Sequence, residues 1–451
     1  MKKANCHGPI DRRTFMHIGG LSMGALAGAA SPNLQHIMAA AQKNDFSVIL
    51  LWANGGPSHL ETFDMKPDAP EKYRGEFRPI RTNVPGMEIT ELLPNLAKMA
   101  DKFSIVRSLH HNRNEHSGGT NRFLSGYTPT AANPADGEYP EMASVVSHQL
   151  ERTAKDIPLF VANTKFYGGG PGYLGAAYRP FIFRGNPNSP KFQVGDLTVT
   201  QSALKELRTR QRLLNTFDKF RRQLDSKGTM SALDKFNQRA IAMLTSPRTA
   251  KAFDLTKEPK AVRDSYGRTP WGQGLLLARR LVESGVRLVQ LQASFKLTRA
   301  AGRVSNWDDH SVNTHTFRAY RERMPVFDVA VPALINDLYS RGLNKRVLFI
   351  FCGEFGRTPT VRNQDKTKRP GRDHWSRAMS IFLSGGGLRM GQVIGSTNPR
   401  GEHPVERRMD SNCLLSTLYR KFGIDQKYNY HDNTGRPIPI LTDGEPIREL
   451  L

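Results

Sequence analysis

Cysteine is nearly missing from this 451-residue chain, which has only Cys6, Cys352 and Cys413. So few, so far apart, exclude a disulfide scaffold and a thiolate-rich zinc site, because both need clustered cysteines. Acidic residues are scarce beside basic ones: 41 Asp plus Glu face 65 Lys plus Arg, leaving a formal charge of +24. That excess draws anions, whether phosphate or sulfate esters, acidic polysaccharides or an anionic membrane. The basic residues are dispersed and no nucleic-acid-binding motif accompanies them, so no nucleic-acid partner is expected. Beyond the N-terminal region no apolar run is long enough to span a bilayer, which excludes a transmembrane segment there.

What the chain does have begins with an arginine pair. Asp11-Arg12-Arg13-Thr14-Phe15-Met16 precedes a weakly apolar, Gly/Ala-rich run from Ile18 to Ala30. That order predicts a twin-arginine signal peptide over residues 1–41, cleaved between Ala27 and Ala41. The expected partner is therefore the twin-arginine export machinery, and the expected location is periplasmic or extracellular. This route carries proteins already folded, which suits a metalloprotein loaded before export.

Residues 42–451 read as one large α/β domain. Short apolar runs closed by Gly or Pro, such as Phe46 to Trp52 and Val347 to Phe351, predict buried strands of a largely parallel sheet. Phe103 to Arg107, Ile157 to Ala162, Arg287 to Ala293 and Ile381 to Leu383 add further strands. Phe327, Val331, Leu334, Ile335 and Leu338 recur at helical spacing. Residues 164–196 read as irregular loop near the active face, and about 201–246 as a charged helical insertion. Strands alternating with helices make a sheet covered on both faces, whose ligands gather at the strands' carboxyl ends.

Three acid-and-histidine clusters fall at such ends: Trp307-Asp308-Asp309-His310, Gly353-Glu354-Phe355-Gly356-Arg357-Thr358-Pro359 and Gly371-Arg372-Asp373-His374-Trp375. Oxygen and nitrogen ligands on separate loops can converge on one divalent ion. This marks Asp308, Asp309, His310, Glu354, Asp373 and His374 as candidate metal ligands, with Trp375 desolvating the imidazole of His374. Arg357 either holds Glu354 or grips an anionic substrate. The loop His110 to Ser117 is dense in polar donors, and Ser117 and Thr120 near a helix start serve either as caps or beside a bound oxyanion. Ser58 and His59 follow the first strand, within reach of the same mouth.

These segments, with Leu51 to Asp64 and Ser384-Gly385-Gly386-Gly387, resemble the DUF1501 family of twin-arginine-exported bacterial proteins of unknown function, related to the alkaline phosphatase and sulfatase superfamily. The resemblance spans about residues 46–424. It implies a three-layer α/β/α sandwich with a mostly parallel central sheet, alkaline-phosphatase-like, acting on phosphate or sulfate esters at one or two metals. By order along the chain, the superfamily's site positions fall at Asn54, Ser117 or Thr120, Asp308 with His310, Glu354, and His374. Asn54 stands where an Asp is usual. The formylglycine motif is absent, and reading back from Leu124-Ser125-Gly126 puts the nucleophile position near His116 or Ser117.

The expected function is an exported hydrolase of anionic small-molecule or polysaccharide esters, dependent on a divalent metal (Zn, Ca, Mg or Mn). Its catalytic candidates are His116, Ser117 and Thr120, and its substrate-binding candidates Arg357, Asn54, Ser58 and His59. The alternative is a catalytically silent binding or assembly protein on the same fold.

Overall fold

The apolar runs become strands because both faces of the sheet are covered. In a computed structural model, which describes residues 45–153, 157–192, 194, 246–363 and 368–451, strand β1 (Ser47–Trp52) is buried at every position. Its alternate side chains serve two cores. Ile49 and Leu51 pack into one hydrophobic cluster, while Val48, Leu50 and Trp52 pack into the other. The strands that build the sheet with it are β2 (Ser104–His110), β3 (Phe160–Ala162), β4 (Phe181–Ile182), β5 (Leu288–Gln292) and β6 (Val347–Cys352). A small hairpin follows, β7 (Gly356–Arg357) with β8 (His374–Trp375), and then β9 (Met379–Gly385), β10 (Val393–Ile394) and β11 (Met409–Asp410). The nine-stranded sheet has the order β10-β2-β9-β6-β1-β5-β3-β4, with β11 paired to β2. Every pairing is parallel except those of β9, which runs against both β2 and β6.

Helices α1 (His116–Ser125), α2 (Met142–Gln149) and α5 (Ser411–Phe422) put Phe123, Val145 and Leu418 into one core. Helices α3 (Pro270–Glu283) and α4 (Thr316–Ser340) put Leu276 and Phe327 into the other. The result is the expected three-layer α/β/α arrangement. Local chemistry sets the helix ends: Pro270 opens α3 behind Thr269, whose hydroxyl accepts the amide of Gly272 at 3.1 Å. The expected export signal over 1–41 lies outside the described residues, as does the helical insertion expected at about 201–246 except for its last residue, Ser246. Among the described residues no helix is long and apolar enough to cross a membrane.

The N-cap position of α2 carries Glu141, which is 3% exposed and whose Oε2 has no partner among the described residues. Burial pushes its carboxyl up from 4.5 to about 7. An acid whose folded pKa is raised lends stability below its unfolded pKa and loses it as pH climbs through the folded value. Stability to urea should therefore fall by about 2–3 kcal/mol between about pH 4.5 and 7 on account of this group. Glu141→Gln should flatten that segment of the profile; an unchanged slope would show that Glu141 finds a charge partner in solution.

Candidate metal centre

Because β1, β2, β5 and β6 run the same way, the loops that follow them leave from one edge of the sheet. The β1 loop passes close beneath Trp307 and Asp308: a Cβ on Gly55, at φ +108°, would sit 2.4 Å from the amide nitrogen of Asp308. Asn54 supplies the carbonyl that accepts the amide of Trp307 at 2.7 Å. Only glycine permits this approach. Trp307 anchors the second loop: fully buried, it stacks on Trp271 and donates Nε1–H to the carbonyl of Ala293. The β7–β8 hairpin closes the group, with His374 opposite Arg357.

Three histidines meet Asp308 here, and their outer nitrogens fix their tautomers. His116 Nδ1 lies 2.7 Å from Glu354 Oε1, His310 Nδ1 lies 2.8 Å from Asp373 Oδ1, and His374 Nδ1 lies 2.6 Å from the carbonyl of Asn114. Each of those partners can only accept, so each Nδ1 carries the proton and each neutral ring is left with a bare lone pair on Nε2. Those lone pairs face one another. His310 Nε2 and His374 Nε2 are 3.0 Å apart and lie 2.8 and 3.0 Å from Asp308 Oδ1. His116 Nε2 lies 3.5 Å from Asp308 Oδ2. Acceptors so close repel unless a cation sits among them.

Ligand atoms of His116, Asp308 and His374 all fall within 4.8 Å of one another. Bonds of about 2.0–2.2 Å let one ion join atoms up to about 4.4 Å apart, so a small side-chain adjustment brings the trio onto one ion. The donor set of imidazole nitrogens and one carboxylate therefore fits a divalent metal. In the protein alone a proton takes this role. Burial opposes the charge on His116, yet the hydrogen bonds of Asp308 and Glu354 outweigh it and hold the imidazole up to about 9. Burial likewise works against ionised Asp308, but the three histidines and Arg357 keep its carboxyl far below the usual range. Burial holds His374 below its ordinary value. Side-chain exposures of 15–30% leave the cluster open to solvent.

The remaining predicted residues divide into supports and bystanders. Glu354, fully buried, turns Oε1 to His116 and to the amide of Gly55 at 2.7 Å. Asp373 backs His310 in the same way. Asp309 does not join the centre: it points down to Arg323, Nη1 to Oδ2 at 2.6 Å, with both side chains buried. Arg357 does not lie free for substrate. Its guanidinium donates to the carbonyls of Gly55, Gly56, Trp307 and Arg372 and to Asp308 Oδ1 at 2.8 Å, which ties the three loops together. Ser58 and His59 are buried beneath the mouth. The amide of Ser58 donates to the hydroxyl of Tyr320, and His59 Nε2 meets the carbonyl of Gly401.

Ser117 and Thr120 are fully buried; their hydroxyls donate to Asn133 Oδ1 and to the carbonyl of His116. Neither hydroxyl is turned to the cluster. The helix start presents His116 instead. The aromatic against the imidazoles is Phe355, whose ring lies 4.4 Å from His374 and 5.5 Å from His116, while Trp375 occupies the other face of its strand. Asn114, Arg323 and Phe355 carry roles that sequence reasoning left unassigned. Their only signal was proximity to the clusters, since a main-chain carbonyl or a helix arginine has no motif of its own.

A family model described as a protein of unknown function, DUF1501, matches residues 45–451, and the chain belongs to that family. No curated protein matches. Solved structures similar to it include the PsFucS1 sulfatase from Pseudoalteromonas sp., 13% identical, with a TM-score of 0.42 over 92% of this chain and 75% of that one. The lipoteichoic acid synthase LtaP from Listeria monocytogenes is 11% identical, with a TM-score of 0.35 over 89% and 76%. The C-terminal periplasmic domain of EcEptC from Escherichia coli, in complex with Zn, is 11% identical, with a TM-score of 0.34 over 84% and 83%.

Proposed function

We propose that this chain is an exported, metal-dependent hydrolase of anionic esters. The observation that carries the reading is the convergence of three imidazole Nε2 atoms on Asp308, each ring held from behind by an acceptor at Nδ1. His116, Asp308 and His374 would hold the ion. A set rich in nitrogen favours zinc over calcium, magnesium or manganese, which prefer oxygen ligands. A divalent ion there supplies Lewis-acid polarisation of the ester and offsets its negative charge.

The protein's own groups do the rest. Glu354, Asp373 and Asn114 hold the rings in register, and such supports typically matter about 10–100-fold for metal affinity. Arg357 keeps the Asp308 carboxylate ionised and in place. Phe355 walls one side of the imidazoles from water. With the hydroxyls of Ser117 and Thr120 turned away, the nucleophile is water. His310, whose Nε2 lies just beside the ligand trio and whose Nδ1 rests on Asp373, accepts its proton as water attacks the phosphorus or sulfur and the ester oxygen departs.

Metal analysis of the purified protein and turnover of aryl phosphate and aryl sulfate test this together. Ser117→Ala with Thr120→Ala should keep activity within about threefold, whereas His310→Ala should lower kcat by about 10²–10⁴-fold with metal retained. A bound ion with no turnover of either ester would instead favour the silent binding protein. Loss of all activity in the hydroxyl double variant would restore a side-chain nucleophile.

A further inference from the structure

Consecutive residues of a strand face opposite ways. Where His374 turns into the metal centre, Trp375 turns into a cleft of 590 Å³ on the far side of the β7–β8 hairpin. Arg362, Arg377, Arg408 and His110 line the same cleft, against a single acid among the described residues, Glu402. That acid is already engaged: Oε2 accepts from Asn398 at 2.7 Å, and its carbonyl accepts the indole N–H of Trp375 at 2.7 Å, which fixes the ring. Arg377 lies 5.4 Å over the indole. Neither Arg377 nor Arg408 has a carboxylate within ion-pair distance among the described residues. Among the described residues, Arg377 and Arg408 thus stand without an acid beside an immobilised aromatic face.

Asp373 joins the two places. Its Oδ1 backs His310, and its Oδ2 lies 3.9 Å from Arg362 Nη1. The cleft thus begins where the metal centre ends, one residue across a two-stranded wall.

We propose that this cleft is a second anion subsite that takes a sugar ring carrying sulfate or phosphate, so that the substrate class is a polyanionic saccharide with several charged groups. The inference rests on the ester-hydrolase reading for what happens at the metal, but the cleft itself stands on its own residues. Guanidinium forks match the paired oxygens of sulfate and phosphate, and an indole face packs on the C–H face of a sugar. A substrate with one anionic group fills the metal centre alone; a chain with repeated groups fills both.

The chain has four tryptophans, of which Trp52, Trp271 and Trp307 are buried and Trp375 is half-exposed. Intrinsic fluorescence therefore reports this cleft. A sulfated heparin hexasaccharide titrated into the full-length protein in EDTA should shift or quench the emission. Its chemically desulfated counterpart should bind at least about tenfold more weakly, and so should Arg377→Ala/Arg408→Ala protein of unchanged circular dichroism and thermal midpoint. Equal binding by the double variant, equal binding of the desulfated sugar, or calorimetric binding with silent emission would each overturn the proposal. Turnover is not needed for any arm. Saccharide bound in the cleft with no aryl ester ever cleaved sinks the hydrolase and leaves the subsite standing.

Discussion

Asp308→Asn should strip the centre of its ion and lower aryl-ester hydrolysis by at least about 10³-fold, while the fold survives. The carboxylate is the one anion that all three inward nitrogens share, at 2.8, 3.0 and 3.5 Å. An amide in its place keeps the shape but changes the electrostatics twice. It removes the negative charge that draws a cation, and it offers N–H donors to the lone pairs that otherwise demand one. The fold should tolerate the change because Arg357 keeps its main-chain acceptors: the carbonyls of Gly55, Gly56, Trp307 and Arg372 remain. Elemental analysis should show bound metal falling by more than about a hundredfold, beyond the roughly 10–100-fold that loss of a supporting hydrogen bond brings. Far-UV circular dichroism should match the parent. Full metal occupancy in the variant would remove Asp308 from the ligand set and with it the proposed centre.

The sheet was legible because each buried strand is a continuous apolar run, and a run such as Val347 to Cys352 is filled on both faces by the cores it separates. The clusters were legible for a similar reason: polar residues packed against such strands need partners. Roles inside a cluster were not. In Asp308-Asp309-His310 the first and third side chains face the centre and the middle one faces Arg323, a choice made by backbone direction over two residues. In His374-Trp375 the same alternation sends the aromatic away from the histidine it was expected to shield. Arg357 reads as a substrate grip until the β1 loop, far back in the chain, arrives with its carbonyls. Ser117 and Thr120 read as nucleophiles because they sit at a helix start, yet only the first residue of that helix, His116, projects past the end toward Asp308. Contacts between distant loops decide all of these, and no local spacing encodes them.

The alternation within the Asp-Asp-His loop carries the largest expected effect on stability. Arg323 is fully buried, donates to Asp309 Oδ2 and to the carbonyl of Asn306 at 2.6 Å each, and lies 4.9 Å over the ring of Trp307. Asp309 Oδ1 has no partner among the described residues, so Arg323 supplies the countercharge of this buried carboxylate. Arg323→Met should leave that charge uncompensated and lower unfolding free energy by about 3–5 kcal/mol in urea titrations. Bound metal should fall with it, because Asp308 and His310 flank the disturbed residue. Arg323→Met with Asp309→Leu should regain most of the stability, since well-packed apolar side chains often replace a buried ion pair at little cost. The double variant should also regain its metal. That recovery separates the two possible roles of Asp309: a ligand could not be replaced by leucine with the ion retained, whereas a carboxylate that only anchors its loop on Arg323 could.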